Sequence, residues 1–334
     1  MNRRLFHILG NLQSLLGLAL IIYVLFIAIT APYISPPDDP QNPAPFRIVE
    51  GFLDPAPVPP DKNLPLGTVA YYSNADGMIT LLHFDVFHSL VWGARSALRF
   101  GLITAIGAAV LGILIGAIGA YLGGAANIFS LRMTDMFLAF PLIAAVWLFS
   151  MIMDFTGVIL VDMQNFAPVP IPETPFQHFV LASGLNPVML AFILFCWMPY
   201  ARIINANVTK LRQADFVIAA RVLGASDWRI ILRHLLPNAI APAIVLLTRD
   251  IGALVVLEAA FAFIGVSGSI QSAAMPEWSR ILLLSRSWII GIGGNPLVYW
   301  WTYLPVTLAL IILGTGWNAL GDGLNTILNP REAV

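Results

Sequence analysis

Three ionisable side chains, Arg249, Asp250 and Glu258, interrupt an apolar run from Ala239 to Ile264. A charge in a hydrocarbon layer costs at least about 2.5 kcal/mol, so such groups face protein or a wet passage. Two chemistries suit them. They can line a passage and bind a charged or zwitterionic solute, or they can pair with neighbours and hold a helix bundle. Both readings stand for Arg249 and Asp250, whereas Glu258 reads as structural. A second cluster is basic: Lys210, Arg212, Arg221, Arg229 and Arg233 fall within residues 205–238. Other chemistry is excluded by type or spacing. Cys196 stands alone, which rules out a disulfide framework or a thiolate metal site. His83, His88 and His178 lack ligand spacing, so no metal site is expected. No GxxxxGK motif occurs, and Lys62 and Lys210 sit in no phosphate-cradling loop, so the chain is not expected to hydrolyse ATP or to bind a cofactor itself.

The elements that position these groups are apolar spans. Of 334 residues 58% are hydrophobic and 10% charged, against about 25% charged in a soluble domain. A soluble enzyme is excluded. A bilayer core needs roughly 20 apolar helical residues, and six runs qualify: Leu15 to Ala31, Gly101 to Leu122, Met133 to Met153, Pro187 to Ile204, Ala239 to Ile264 and Tyr299 to Leu320. The first follows Arg3 and Arg4 as a secretory signal would. Its apolar run exceeds the roughly 7 to 15 residues of a signal core and has no convincing cleavage site, so it reads as a retained helix.

Six spans put both termini on one side, and charge chooses the side. With the termini cytoplasmic, that side holds ten cations and five acids, the outer loops six and eleven, and Arg249, Asp250 and Glu258 stay within. The positive-inside rule fits only this orientation. The expected divisions are a cytoplasmic N-terminus (1–14), a first helix (15–31), an outer segment (32–100), a five-helix core (101–320) and a cytoplasmic C-terminus (321–334). Residues 32–65 carry eleven prolines and should run extended. Phe84 to Arg99 is amphipathic and predicts a helix lying at the outer interface. Trp278, Trp288, Tyr299, Trp300, Trp301 and Tyr303 suit an aromatic belt. Gly112 with Gly116, and Gly119 with Gly123, have the small-xxx-small spacing of closely packed helices.

The loop 205–238 divides by period. Phe216, Ala220 and Leu223 recur at helical spacing up to Gly224, which can take a left-handed cap. Ser226 can then cap a second helix carrying Trp228, Ile231, Leu232 and Leu235, limited by Pro237. Lying on the membrane surface would satisfy this pattern, and nucleic-acid binding does not suit so few cations. A docking surface for a soluble partner also accounts for the small residues Ala219, Ala220, Gly224 and Ala225.

That segment resembles the coupling motif of ABC-type importer permeases, EAA, three residues and a glycine, then a stretch ending in LPN. Ala219, Ala220, Arg221, Leu223, Gly224, Ala225, His234, Leu236, Pro237 and Asn238 match. More narrowly it is similar to the second permease of oligopeptide, dipeptide and nickel importers, through Asp215 to Val217, Ala219 to Arg221, Leu223 to Ser226, Arg229 to Ile231 and Arg233 to Asn238. Asp85 to Phe87, Gly93 to Ser96, Arg132, Asp135, Phe140, Pro141, Leu320 to Leu324, Asn329 and Pro330 extend the resemblance. The outer loops 32–83 and 154–185 depart from the family, with His83 and Phe84 where Gly-Arg is usual.

The resemblance implies an all-α polytopic protein with the six transmembrane helices of the type I ABC importer permease fold. It also implies partners: a homologous permease, two ATPase subunits that use ATP and Mg, and an extracytoplasmic solute-binding protein. The coupling residues it marks are Asp215, Ala219, Ala220, Arg221, Gly224, Ala225, Arg229, His234, Pro237 and Asn238. Peptides are the expected cargo, with nickel complexes, glycosides or another solute as alternatives. A secondary transporter, or a membrane scaffold without a pathway, is the rival of another class.

Overall fold

The computed structural model describes residues 12–39, 44, 46–52, 54–75, 78–153, 159–161, 168–170, 175, 185–266, 277–291 and 294–328. Arg3, Arg4, His178, Asn329, Pro330, Arg331, Glu332 and most of the 154–185 loop lie outside them. The architecture is helical. Four helices are long and apolar enough to cross a membrane: α1 (Leu12–Ile34), α2 (Val86–Leu122), the pair α5 (Pro187–Phe195) and α6 (Met198–Leu211), and α12 (Leu304–Leu328) with its leading 3-10 turn (Trp300–Thr302). Counting each bent pair as one span makes six. The first pair is α3 (Gly124–Ala139) with α4 (Leu142–Met153), bent by 85°. The bend follows from Pro141, which drives the preceding residue out of the helical region; Phe140 has φ −85 and ψ 129. The second joins the loop helices α8 (Asp227–Ile230) and α9 (Leu236–Ala239) to α10 (Ala241–Phe263) at 66°.

Small residues let the spans touch through their backbones. A Cβ on Gly112 or Gly116 of α2 would overlap the carbonyl oxygens of Trp197 or Ala201 at the start of α6, as their four-residue spacing predicts. The α1 and α12 pair uses the same device at positions the spacing does not flag. A Cβ on Gly17 would stand 2.7 Å from the Leu320 nitrogen. Aromatic rings fill the centre, where Phe192 on α5 meets Phe100 on α2 and Phe261 on α10 at centroid distances of 6.0 and 5.7 Å.

At one end of α2 sits a small sheet, a departure from an all-helical chain. Strands β1 (Ile48–Val49), β3 (Met78–Asp85) and β2 (Thr68–Ala75) lie antiparallel in that order. The amphipathic stretch 84–99 is no separate interfacial helix. Asp85 caps α2 by accepting from the His88 N–H at 3.1 Å, and the helix then runs unbroken for 37 residues, about 55 Å at 1.5 Å per residue. Its apolar face is covered by protein: Val91, Trp92, Ala94 and Leu98 are buried. Of the prolines expected to keep the preceding segment extended, Pro32 lies instead within α1, and Pro40, Pro43 and Pro45 lie outside the described residues; side chains tie the described part down. Ser35 Oγ and the Ala44 carbonyl pair with the two His88 ring nitrogens at 2.7 and 3.2 Å, and Thr68 and the Asp54 carbonyl do the same for His83, both at 3.0 Å.

Several of the belt aromatics are clasps for this sheet. Trp288 on α11 (Glu277–Ile290) donates to the Ala70 carbonyl at 3.0 Å, and Trp301 to Thr68 at 3.2 Å. Trp278 is buried and packs against Gly93, where a Cβ would overlap its ring. These positions look interfacial in sequence because a tryptophan suits a membrane boundary and a protein seam equally well.

Candidate functional site

The loop end of α2 gathers the residues of the coupling motif. Helix α7 (Asp215–Val222) ends in a Schellman turn: the Gly224 N–H donates to Arg221 O and the Ala225 N–H to Ala220 O, both at 3.0 Å. Gly224 takes φ +80, the left-handed conformation its position predicts, and a Cβ there would meet nothing within 4 Å. Backbone conformation, not crowding within this chain, therefore calls for glycine. Ala225 at the turn packs toward Ala220, the contact that usually accompanies such a cap.

The second helix does not stop at Pro237. Between α8 and α9 the chain widens into a π turn (Ile231–Leu235), in which the Leu236 N–H reaches back to Ile231 O. Pro237 has no N–H to offer, and a π turn accommodates such a missing bond. The Asn238 side chain donates to the His234 carbonyl at 2.7 Å, so the Leu-Pro-Asn sequence re-aims the chain into α10 with its carbonyls served. The extra residue also rotates the apolar stripe. Ile230, Ile231 and Leu235 are buried, while Trp228 and Leu232, expected on the same inner face, are exposed. In α7 the buried side chains are Val217 and Ala220, and Phe216 and Leu223 point outward.

The result is an apolar outer surface on two short, charged helices. Val222 and Leu223 are 81% and 86% exposed, beside Phe216, Ile218, Trp228 and Leu232. Asp215 begins α7, and Arg229 with Arg233 flank the second helix.

Behind that surface lies a polar joint. Tyr121 Oη, at the end of α2, donates to Asp227 Oδ1 at 2.5 Å, and Arg221 reaches the same hydroxyl at 3.4 Å with its guanidinium 5.6 Å from the Tyr121 ring centre. Arg212 donates to the Ala120 carbonyl at 3.0 Å, Asn207 to the Ala239 carbonyl at 3.2 Å, and Asn205 to Asn127 at 2.6 Å. Sequence spacing singles out none of Tyr121, Asn205 and Asn207, because their partners stand up to 106 residues away.

Within α10 the three ionisable groups separate. Arg249 pairs with Asp322 of α12, which also accepts from Gln13 of α1 at 3.1 Å. Asp250 accepts from the Tyr200 hydroxyl at 2.7 Å. Glu258 is fully buried and accepts from Ser279 on α11. Near it Glu277 and Arg280, both buried, stand 3.8 Å apart. Burial pushes the Glu277 carboxyl up to about 7, against the pull of Arg280. A cleft of about 680 Å³ opens between α10, α11 and α12, lined by side chains such as Val256, Phe263, Tyr303, Thr307, Thr315 and Asn318. Among the described residues no charged side chain lines it. Among the described residues no cluster of His, Cys, Asp and Glu could hold a metal.

Comparison with known proteins meets this geometry. Residues 108–334 match the family described as binding-protein-dependent transport system inner membrane component. The dipeptide transport system permease protein of Alkalihalophilus pseudofirmus is 30% identical over 247 residues, 74% of this chain and 69% of the relative. The glutathione transport system permease protein of Pectobacterium atrosepticum is 27% identical over the same shares. The nickel transport system permease protein of Escherichia coli K12 is 29% identical over 74% of this chain and 76% of its own. The motif around Gly224, the turn that presents it and this match agree: the chain belongs to the binding-protein-dependent transport system inner membrane components, the permeases of ABC importers.

Proposed function

We propose that this chain, with a homologous permease, forms the membrane passage of an ATP-driven importer for peptides or a similar small solute. Its N- and C-termini face the cytoplasm, it is itself non-catalytic, and two separate ATPase subunits consume ATP with Mg. A binding protein delivers solute from outside. The observation that carries the reading is the exposed apolar surface around the Gly224 turn. The exposure of Val222 and Leu223, on helices whose opposite face is already buried, is explained by a partner that covers them. Helix entry into an ATPase groove is the recognition mode such a surface suits. The cleft beside α12 supplies the solute face, with neutral hydroxyl and amide groups on an apolar wall. Arg249, partly exposed beside Asp322, stands at the inner mouth, while Asp250 and Glu258 hold the bundle.

The relatives' names speak for peptide cargo, and the nickel and glutathione permeases define the alternatives. The test is Gly224→Val beside Gly224→Ala in the chain co-expressed with its partner permease and ATPases. Both substitutions meet the same φ of +80, so both carry backbone strain of about 1 to 3 kcal/mol. Only valine projects bulk into the partner. The valine chain should insert normally yet lose ATPase co-purification and ATP-dependent uptake of a labelled dipeptide into proteoliposomes, with the alanine chain retaining most of both. Full ATPase capture by the valine chain would refute the docking assignment.

A further inference from the structure

The coupling helices have to hand their motion to the membrane helices through some joint, and the described contacts narrow the choices. Beside an apolar cluster in which Val217, Ala220, Ile230 and Leu235 meet Tyr121, Tyr200, Ile204 and Val208, the side-chain hydrogen bonds from α7 and α8 to the bundle are, among the described residues, those of Arg221 and Asp227. Both side chains converge on one atom, the hydroxyl of Tyr121. That hydroxyl donates to Asp227 at 2.5 Å and accepts from Arg221 at 3.4 Å, so a single phenol bridges both halves of the helix, turn, helix unit. The guanidinium also sits over the ring face, adding a cation–π contact.

Tyr121 is also well placed along the chain. It is the second-last residue of α2, and the helix behind it is continuous to Asp85 at the sheet end. Two residues on, Gly123 turns with φ +69, and Arg212 from the end of α6 fills the space a side chain would take there while its Nη1 binds Ala120 O. The end of α2 is thus held from both sides, by Arg212 from the bundle and by Asp227 with Arg221 from the loop. α2 contains no proline and runs as one helix from Val86 to Leu122. A displacement applied at Tyr121 therefore acts on the same continuous helix that packs in the middle of the bundle.

We propose that Tyr121 is the positioning residue that couples the ATPase-docking helices to the transmembrane bundle, acting through Asp227 and Arg221 on the end of α2. The proposal rests on the docking reading above and goes beyond it: the Gly224 turn binds the ATPase, and Tyr121 passes the motion on. Loss of the hydroxyl should leave docking intact and disconnect the two.

The test uses the full complex with Cys196→Ser as background and spin labels at Val110→Cys on α2 and Leu148→Cys on α4, both exposed positions. The probe is Mg-ATP with vanadate. In the Tyr121 chain, trapping should shift the distance between the labels. In the Tyr121→Phe chain, which keeps the ring and its cation–π contact, the shift should fall by at least half while ATPase co-purification stays at the parent level. Asp227→Asn should reproduce the loss, and the double substitution should add nothing further. An undiminished shift in Tyr121→Phe overturns the proposal. So does loss of ATPase binding in that chain, because Tyr121 would then belong to the docking surface. Gly224→Val read against Gly224→Ala, which shares its left-handed backbone position, separates a failure of the docking reading from a failure of the joint.

Discussion

At the loop end of α2, Val222 and Leu223 are more than four-fifths exposed. At the sheet end, His83 and His88 are both 1% exposed, each with a polar partner on either ring nitrogen. The usual distribution is reversed at both ends, for different reasons. Buried polar groups are tolerated when fully hydrogen-bonded, so these two histidines are satisfied within the chain. Exposed large apolar groups on short helices gain nothing within the chain, which is what the proposed docking surface accounts for. The family match begins at residue 108, past the sheet and at the span that leads to the loop. The exposed apolar surface thus lies in the part of the chain that the family match covers, and the sheet lies before it.

The strongest way to break this comparison is to remove a clasp at the self-sufficient end. Trp278→Ala deletes a buried indole that packs on Gly93 and donates to Leu90 O at 2.9 Å. The expected loss is about 3 to 5 kcal/mol, seen as a lower melting temperature of the isolated chain in detergent. A chain that melts normally would show that the sheet end, too, awaits a partner. The opposite outcome is expected from Leu223→Ser. The isolated chain should melt within about 0.5 kcal/mol of the parent, since no packing is lost. Affinity for the ATPase should drop about tenfold, or ~1.4 kcal/mol. A destabilised chain with unchanged affinity would reverse the assignment of that surface.

What could be read from residue order alone divides along the same line. The left-handed turn at Gly224, the close approach at Gly112 and Gly116, and the helical core follow from rules that act within a few residues or from the span pattern. The joint at Tyr121, the clasps of Trp288 and Trp301, and the pairing of Arg249 with Asp322 join residues far apart in the chain, and no periodicity announces them. The amphipathic stretch 84–99 was ambiguous physically: the same apolar stripe suits a membrane surface or a protein interior. The sheet and the proline-rich segment covering it decide for the interior. Pro237 illustrates a third case, where a local rule predicts a stop and a π turn accommodates the proline instead.

The smallest expected effect sharpens the contrast at the level of one hydrogen bond. Ser226 has the residue type and the extended backbone (φ −67, ψ 150) of a helix cap, and its carbonyl accepts from the Ile230 N–H at 3.0 Å. Its side chain makes no capping bond, whereas Asp85, in the same position at the start of α2, accepts from His88 N. A serine cap that forms is worth about 0.5 to 2 kcal/mol. Here the neighbouring Asp227 is committed to Tyr121, and α8 is a single turn followed by a π turn, so its ends are set by the joint and by Pro237 more than by the cap. Ser226→Ala should therefore change the melting temperature by the equivalent of less than about 0.5 kcal/mol. A loss of 1 kcal/mol or more would mean that the loop helices are stabilised from within like the sheet end, and that their exposed apolar face is not what decides their stability.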